Sequence, residues 1–266
     1  MLGAIIGDIA GSQFERKPDR IQYYFSMFSP NSKITDDTIM TCAIAKAILD
    51  CNGDYSELGN AAIDSMQELG RKYPNYGYGS AFNSWINSNN PTPYNSYGNG
   101  SAMRISPIPY IATSKDELIT LVNLVTTVTH NHEEGIKGAE ALAVAMYMLL
   151  KGYEKGPDES YIHDNYYSMS LSYNELLDKR PFKFSCTCED TVPLALMAFF
   201  DSVSFEDAIR KAVILGGDTD TIAAMCGSLA EVYYGITDDL INKAIRYLPP
   251  DLNEIYFNYK KYIKGE

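Results

Sequence analysis

Apolar side chains recur at three- and four-residue spacing along most of the chain, which is the pattern of helices with one buried face. No segment shows convincing strand-like alternation of apolar and polar positions. Two of the apolar segments begin with capping-box spacing, Ser114 with Glu117 and Ser204 with Asp207. The pattern predicts a compact all-α fold, with helices over residues 2–14, 39–50, 57–72, 115–128, 136–151, 191–201, 205–215, 221–234 and 238–247.

The first predicted helix carries a glycine at every fourth position. Gly3, Gly7 and Gly11 therefore lie on one face, where the missing side chains let another backbone approach closely. Asp8 and Glu15 lie about two turns apart on a second face, so both can point toward one cavity. We expect this helix to be central in the fold.

Two stretches lack helical periodicity. Residues 73–110 are rich in Tyr, Asn, Gly, Pro and Ser and contain the only tryptophan, Trp85. Such long connections are usually functional or disordered, and the aromatic content argues against simple disorder. Residues 152–170 form a second irregular stretch, which we expect to be peripheral. No Pro- or Ser-rich linker divides the chain, so we expect a single domain over residues 1–266.

Composition narrows the class of protein. The 266 residues are 45% hydrophobic, which is enough for a sizeable core. A net charge of -12 and a pI near 4.7 disfavour non-specific binding to nucleic acid or anionic membranes. The odd number of cysteines argues against a disulfide framework, and neither a signal peptide nor a membrane span is recognisable. We expect a cytoplasmic monomer.

A short acidic motif precedes the second predicted helix: Thr35-Asp36-Asp37-Thr38. Hydroxyl and carboxylate groups in a first helical turn are typical of capping and of compensation of the helix dipole. The chain repeats the motif before another helix, in Ile236-Thr237-Asp238-Asp239-Leu240. Capping and cation binding are therefore both open for residues 35–38.

A second acidic motif carries two glycines in front of its carboxylates: Gly216-Gly217-Asp218-Thr219-Asp220-Thr221. Carboxylate, hydroxyl and main-chain oxygens are ligands for Mg²⁺, Mn²⁺ or Ca²⁺, whereas Zn²⁺ favours His and Cys. Clustered carboxylates repel one another unless a cation, a proton or a helix dipole offsets the repulsion. We predict that the two acidic motifs form one divalent metal site.

Three further patterns are less specific. Residues 97–104 form a glycine-containing segment that is either a phosphate-binding loop or a plain turn, and it lacks the ending of a P-loop. Thr129-His130-Asn131-His132 is either a surface helix start or the source of an imidazole for phosphate or ribose. Cys186 and Cys188 lack a second pair that would complete a zinc site, so we interpret them as ordinary residues.

Taken together and in order, these motifs resemble the ADP-ribosylglycohydrolase family over about residues 2–235. The resemblance implies a compact orthogonal array of helices with two neighbouring Mg²⁺ or Mn²⁺ ions at the bottom of an ADP-ribose cleft. The metal ligands that it implies are Glu15, Thr35, Asp36, Asp37, Asp218, Asp220 and Thr221. The implied ADP-ribose-binding residues are Ser96, Tyr97, Gly98, Asn99, Gly100 and His130, with Phe14 or Tyr97 as a candidate stacking ring.

The implied reaction is hydrolysis at C1 of the distal ribose, which releases free ADP-ribose from a protein or small-molecule substrate. Glu15 is the implied proton-transfer residue, and Asp36 or Asp37 would help to activate water. A carboxylate beside a dication is normally ionised, so an acid role requires Glu15 to move away from the metal when substrate binds.

The acceptor is left open by the sequence. Family members that act on ADP-ribosyl-arginine tend to carry Asp three positions before the asparagine of the Gly-Asn-Gly motif, and here that position is Ser96. The local sequence looks more like members that cleave serine-linked ADP-ribose. Two other classes stay open: a pyrophosphohydrolase of an ADP-ribose-like nucleotide, and a non-catalytic ADP-ribose-binding protein.

Overall fold

The computed structural model describes residues 1–17 and 20–266, and within them every regular element is helical. Two 3-10 turns, Tyr55–Glu57 and Ile108–Tyr110, and two isolated β-bridges supplement the α-helices. The helices are α1 (Leu2–Ser12), α2 (Asp36–Cys51), α3 (Leu58–Lys72), α4 (Ser80–Ile86), α5 (Gly100–Met103), α6 (Lys115–Thr126), α7 (Glu133–Leu150), α8 (Lys155–Asn165), α9 (Tyr173–Lys179), α10 (Cys188–Phe200), α11 (Phe205–Ile214), α12 (Thr219–Tyr234), α13 (Asp238–Ile245) and α14 (Pro250–Tyr262). The all-α prediction is confirmed.

All nine helices predicted from periodicity are present, with ends shifted by a few residues. The description of residues 152–170 as irregular is wrong, because α8 spans Lys155–Asn165. Its Pro157 lies in the first turn, where proline is tolerated, and only Asp158 and Ile162 of the helix are buried, so the apolar signal is weak. The stretch 73–110 likewise contains α4 and the short α5.

The C-terminal helix α14 was missed as well. It begins at Pro250, again a tolerated first-turn position. Its buried side chains are Leu252, Tyr256 and Tyr259, a helical stripe made mostly of tyrosine, and it packs against α2. Tyrosine is an ambiguous signal for burial, since its ring is apolar and its hydroxyl is polar.

Helices α1 and α12 form the most extensive helix pair. The glycine spacing predicts a close approach of another backbone, and the structure identifies that backbone as α12. A side chain added at Gly3, Gly7 or Gly11 would collide with the α12 backbone, at the carbonyl oxygens of Gly227, Ala223 and Thr219 respectively. Every residue of α1 is buried. The expectation of a central first helix is confirmed, and the close approach brings the last turn of α1 beside the first turn of α12.

The other long helices surround this pair. Helices α10 and α11 pack on α12, α3 and α14 pack on α2, and α6 packs on α7. Their apolar faces, together with those of α1 and α12, form a connected buried cluster. Across the described residues, none of the helices has both the length and the apolar character needed to span a membrane.

Candidate functional site

A cluster of carboxylates lies where the end of α1, the start of α2 and the start of α12 meet. Single oxygens of Asp8, Asp37 and Asp220 lie within 4.8 Å of one another. Oxygens of Glu15, Asp218 and Asp220 form a second such group, so Asp220 belongs to both. The structure thus brings the two acidic motifs together, as expected from the sequence.

Asp8 organises the first motif. Its carboxylate accepts hydrogen bonds from the backbone N–H groups of Thr35 and Thr38, at 2.9 and 3.2 Å, and from both of their hydroxyls, at 2.8 and 2.5 Å. Thr35 also caps α2, because its hydroxyl accepts from the Asp37 N–H. Asp8 is not among the predicted metal ligands. The sequence did indicate that Asp8 lies near the site, because its spacing from Glu15 predicts that both side chains point toward one cavity.

Glu15 lies at the cluster, as expected, but it is carried by a different element from the one predicted. Helix α1 ends at Ser12, so Glu15 lies on the turn that follows and not on a second face of the helix. Its side chain is 29% exposed, whereas Asp218 and Asp220 are 6% and 4% exposed. Glu15 is therefore the carboxylate of its group that lies nearest to solvent.

Burial and mutual repulsion disfavour the ionised form of the carboxyl groups in this cluster. Burial, followed by the charge of Asp8, raises the pKa of Asp36 to about 8. Burial also raises the pKa of Asp8 to about 6 and, with neighbouring carboxylates, holds the pKa values of Asp37 and Asp220 well above their usual range. Among the described residues, Oδ1 of Asp37 and Oδ1 of Asp220 are buried without a hydrogen-bond partner.

These features fit a divalent cation. Orphaned buried carboxylate oxygens beside further carboxylates are what a hard cation with oxygen ligands requires. The Thr221 hydroxyl donates to Asp37 Oδ2 at 3.1 Å, which leaves its own lone pairs free to face a cation, whereas the Thr35 hydroxyl donates to Asp8 and keeps one lone pair beyond the one that accepts from the Asp37 N–H. Asp36, half-buried beside Gly77, completes the predicted ligand set at this place.

The repeated motif at residues 237–239 provides an internal comparison. Thr237, Asp238 and Asp239 are exposed, and Asp239 pairs with Lys243 at 2.6 Å on the surface of α13. The same three residue types therefore serve as a surface helix start in one place and as part of the buried cluster in the other. The difference arises from what lies opposite residues 35–38, namely Asp8 of α1 and the first turn of α12.

A cleft of about 540 Å³ opens from the carboxylate cluster. All six predicted ADP-ribose-binding residues line it. All seven predicted metal ligands line it as well, namely Glu15, Thr35, Asp36, Asp37, Asp218, Asp220 and Thr221. Side chains not predicted from the sequence complete the wall, among them Arg16, Lys33, Tyr76, Phe82, Tyr94, Met103, Arg104 and Phe184. The cleft and the cluster therefore form one continuous site.

The glycine-containing loop is held in place by the segment before α10. The Asn99 N–H donates to the Cys186 carbonyl at 2.8 Å, and the Cys188 N–H donates to the Tyr97 carbonyl at 3.1 Å. The Cys188 thiol donates to the Gly98 carbonyl at 3.1 Å. Both cysteines thus position the loop.

Asn99 connects this loop to the carboxylates. Its side-chain Nδ2 donates to Asp218 Oδ2 at 2.8 Å, and the residue is only 6% exposed. Its main-chain N–H and its amide are both used within the protein. The asparagine of the motif consequently faces the carboxylate cluster, while Gly98 and Gly100 lie against the His130 ring.

His130 is a buried, neutral member of the cleft wall. Burial and the neighbouring Arg104 guanidinium hold the pKa of His130 well below its usual range. Its Nδ1 lies 2.7 Å from the Thr129 hydroxyl, and Nε2 faces the glycine loop. His132 behaves differently, since its Nδ1 accepts from the Glu134 N–H and caps α7. The helix-start interpretation thus holds for His132.

Of the two candidate stacking rings, Tyr97 lies on the cleft and is 55% exposed. Phe14 packs edge-on against Phe25, with ring centroids 5.0 Å apart, and is absent from the described lining residues. Phe184 is an aromatic residue of the cleft that the sequence did not reveal. It precedes α10 in a segment with no periodicity, so only its position opposite Arg16 distinguishes it.

Comparisons with known proteins agree with this geometry. ADP-ribosylhydrolase ARH3 of Gallus gallus is 24% identical, over 88% of this chain and 84% of its own. ADP-ribosylarginine hydrolase Tri1 of Pseudomonas putida (strain GB-1) is 26% identical, over 89% and 70%. A solved structure titled ADP-ribosylglycohydrolase-related protein complex has the same fold, with a TM-score of 0.72 at 24% identity over 97% and 95% of the two chains. The model of the ADP-ribosylglycohydrolase family matches residues 1–246, and this chain belongs to that family.

Proposed function

We propose that the protein is a hydrolase dependent on divalent metal ions that removes ADP-ribose from a modified side chain by cleavage at C1 of the distal ribose. The observation that carries the proposal is the continuity between the carboxylate cluster and the cleft lined by the glycine loop and His130. The names of the relatives support it, since ARH3 is an ADP-ribosylhydrolase and Tri1 an ADP-ribosylarginine hydrolase.

The glycine loop and His130 would hold the diphosphate and its ribose. Gly98 and Gly100 let the ligand approach the backbone, where N–H groups suit anionic oxygens. A neutral imidazole offers hydrogen bonding without adding a charge that would change with pH near neutrality. Ser96 and Tyr97 lie at the start of the loop, with the exposed Tyr97 ring available for stacking.

The base of the cleft would hold two ions, Mg²⁺ or Mn²⁺. Glu15, Asp218 and Asp220 form one group of ligands, and Asp37 and Asp220 belong to the other. Bound there, the ions would supply charge neutralisation and orientation of the ribose hydroxyls. Asp36, Thr35 and Thr221 would complete the ligand set.

Glu15 is the proposed proton-transfer residue. It is partly exposed and lies on a turn, so its side chain can change position with less disturbance than the carboxylates on α2 and α12. A proton delivered to the departing oxygen or nitrogen of the acceptor would assist bond cleavage at C1. Asp36 or Asp37 would help to activate the attacking water by accepting the proton that the water loses as it bonds to C1.

The test uses peptides that carry ADP-ribose on serine or on arginine, incubated with the protein and Mg²⁺ or Mn²⁺. Free ADP-ribose is the expected product. AMP with ribose phosphate would identify a pyrophosphohydrolase, and tight ADP-ribose binding in calorimetry without turnover would identify a binding protein. Undiminished release in excess EDTA, or by the double variant Asp218→Ala, Asp220→Ala, would contradict the metal dependence. Asp239→Asn, at the repeated surface motif, is the matched control and should retain full activity.

The proposal includes a single domain over residues 1–266 that acts as a monomer in the cytoplasm. Sedimentation at micromolar concentration would test the monomer, with a single species near 29.6 kDa expected.

A further inference from the structure

Arg16 lies at the mouth of the cleft with its guanidinium between a carboxylate and an aromatic ring. Its Nε donates to Glu15 Oε1 at 3.0 Å, and its Cζ lies 4.1 Å from the centroid of the Phe184 ring. All three side chains line the cleft. The Arg16 side chain is 68% exposed, so this arrangement is part of the entrance and not of the core.

A carboxylate paired with an aromatic face is a typical recognition site for a guanidinium. The carboxylate compensates the charge, while the ring stacks on the planar cation. Here the chain fills such a site with its own Arg16. The backbone at Arg16 has φ of 58°, a conformation that residues other than glycine rarely adopt, and it directs the side chain from the turn after α1 back over Glu15.

The position of Glu15 relates this arrangement to the acceptor. Under the proposed function, the glycine loop and His130 hold the diphosphate on one side of the carboxylates. Glu15 is the most exposed carboxylate of its group, so the departing acceptor leaves the cluster past Glu15 toward solvent. The acceptor atoms next to the bond that is cleaved would then lie beside Arg16 and Phe184.

We propose that Arg16 is a specificity-determining residue that excludes a guanidinium acceptor and admits a neutral, hydroxyl-linked one. An arginine that carries ADP-ribose keeps its guanidinium and its positive charge. The positive charge of Arg16 would repel this guanidinium. The carboxylate of Glu15 and the ring of Phe184, which could otherwise bind it, are already in contact with Arg16. Lys33, also on the cleft wall, adds charge of the same sign. A serine oxygen carries no charge, so Arg16 does not repel it, and it does not need the carboxylate and ring that Arg16 occupies.

This inference rests on the proposed function, and the experiment separates the two. Two peptides of one sequence, with ADP-ribose on serine or on arginine, are compared by kcat/KM. The wild type should favour the serine linkage. Arg16→Ala should move the ratio toward arginine by roughly tenfold, as two exposed like charges a few ångströms apart would give, mainly through a lower KM for the arginine peptide. Arg16→Glu should move it further, and Arg16→Lys should keep most of the wild-type preference.

Lys17→Ala is the matched control. It removes the same charge from the next residue, whose Nζ lies 5.4 Å from the Phe14 ring, and Lys17 is not among the described residues that line the cleft. The ratio should be unchanged in this variant. Phe184→Leu, which removes the ring and keeps Arg16, should reduce the preference by a smaller factor.

Three outcomes would overturn the inference. Preference of the wild type for the arginine peptide is the first, and an Arg16→Ala ratio equal to that of Lys17→Ala is the second. The third is an equal loss of kcat on both peptides in Arg16→Ala, which would mean that Arg16 only positions Glu15. If the wild type releases ADP-ribose from neither peptide, the proposed function itself is refuted, and the inference with it.

Discussion

Replacing Asp37 by asparagine should stabilise the metal-free protein and abolish its stabilisation by metal. Asp37 is 2% exposed, and its Oδ2 accepts from the Thr221 hydroxyl, while Oδ1 has no partner among the described residues. An asparagine can keep this accepted hydrogen bond through its oxygen. Its NH₂ group would then replace an oxygen that is repelled by Asp8 and Asp220.

The size of the effect follows from the distances in the cluster. Two unit charges within 4.8 Å repel by about 3.5 kcal/mol at an effective dielectric constant of about 20. The protein can avoid this by keeping Asp37 protonated, since its pKa is raised from 3.8, but at pH 7 that alternative costs up to about 4 kcal/mol. Both figures are upper limits because the surroundings relax, so we expect a gain of about 2 kcal/mol.

These energies convert into melting temperatures that are simple to measure. An unfolding entropy of about 2.1 cal/mol/K per residue gives about 0.56 kcal/mol/K for 266 residues. In EDTA, Asp37→Asn should therefore melt about 4 °C above the wild type. Mn²⁺ at about 100 times its Kd should stabilise the wild type by about 2.7 kcal/mol, or about 5 °C, and should leave the variant nearly unchanged. The order of stability should thus reverse on adding metal.

The sign of the pH dependence adds a second check in EDTA. A carboxyl whose pKa is raised on folding binds more protons in the folded state, so the stability of the wild type falls as pH rises above about 3.8. The advantage of Asp37→Asn should accordingly be larger at pH 8 than at pH 5. Asp239→Asn, the counterpart on the surface of α13, should change neither curve. Destabilisation by Asp37→Asn in EDTA, or a metal response equal to that of the wild type, would refute the electrostatic reasoning.

Three further predictions concern other parts of the molecule. Gly7→Ala should lower the free energy of unfolding in urea by about 3 kcal/mol, because the added methyl would overlap the α12 backbone, whereas Gly79→Ala, with nothing within 4 Å of its added Cβ, should have little effect. Burial raises the pKa of Asp158 to about 8, so wild-type stability should fall by roughly 3 kcal/mol between pH 5 and pH 8 from this group; thermal melts of Asp158→Asn should lack that part of the decline. Asn99→Asp would place a second carboxylate at the 2.8 Å contact with Asp218, and its melting temperature should fall in EDTA and recover with Mn²⁺.

The helices with one apolar stripe could be predicted from the sequence, and those without one could not. Helix α12 has a continuous apolar run, and the spacing of three glycines predicted that another backbone approaches α1 closely, although not that this backbone is α12. Helix α8 buries only Asp158 and Ile162, so its formation depends on packing against α7 and α10 and is not encoded by periodicity. Tertiary contacts decide whether such weakly patterned segments are helical.

The carboxylate site was predictable in composition but not in arrangement. The two acidic motifs were recognised, yet the sequence could not separate residues 35–38 from their repeat at 237–239. It also could not reveal that Asp8 binds Thr35 and Thr38, or that Asn99 faces Asp218. Each of these contacts joins residues that are far apart in the chain, and local pattern carries no information about such partners.

The glycines of α1 and the carboxylates depend on one another energetically. A buried cluster with raised pKa values opposes folding, so something nearby must hold the helix ends together. Close contact of α1 with α12 provides that packing, and it is possible only because Gly7 and Gly11 carry no side chain. A larger residue at either position would separate the helices and relieve the repulsion, but it would also move Asp220 away from Asp8. The strain at the cluster is therefore maintained by the same glycine face that gives the cluster its geometry.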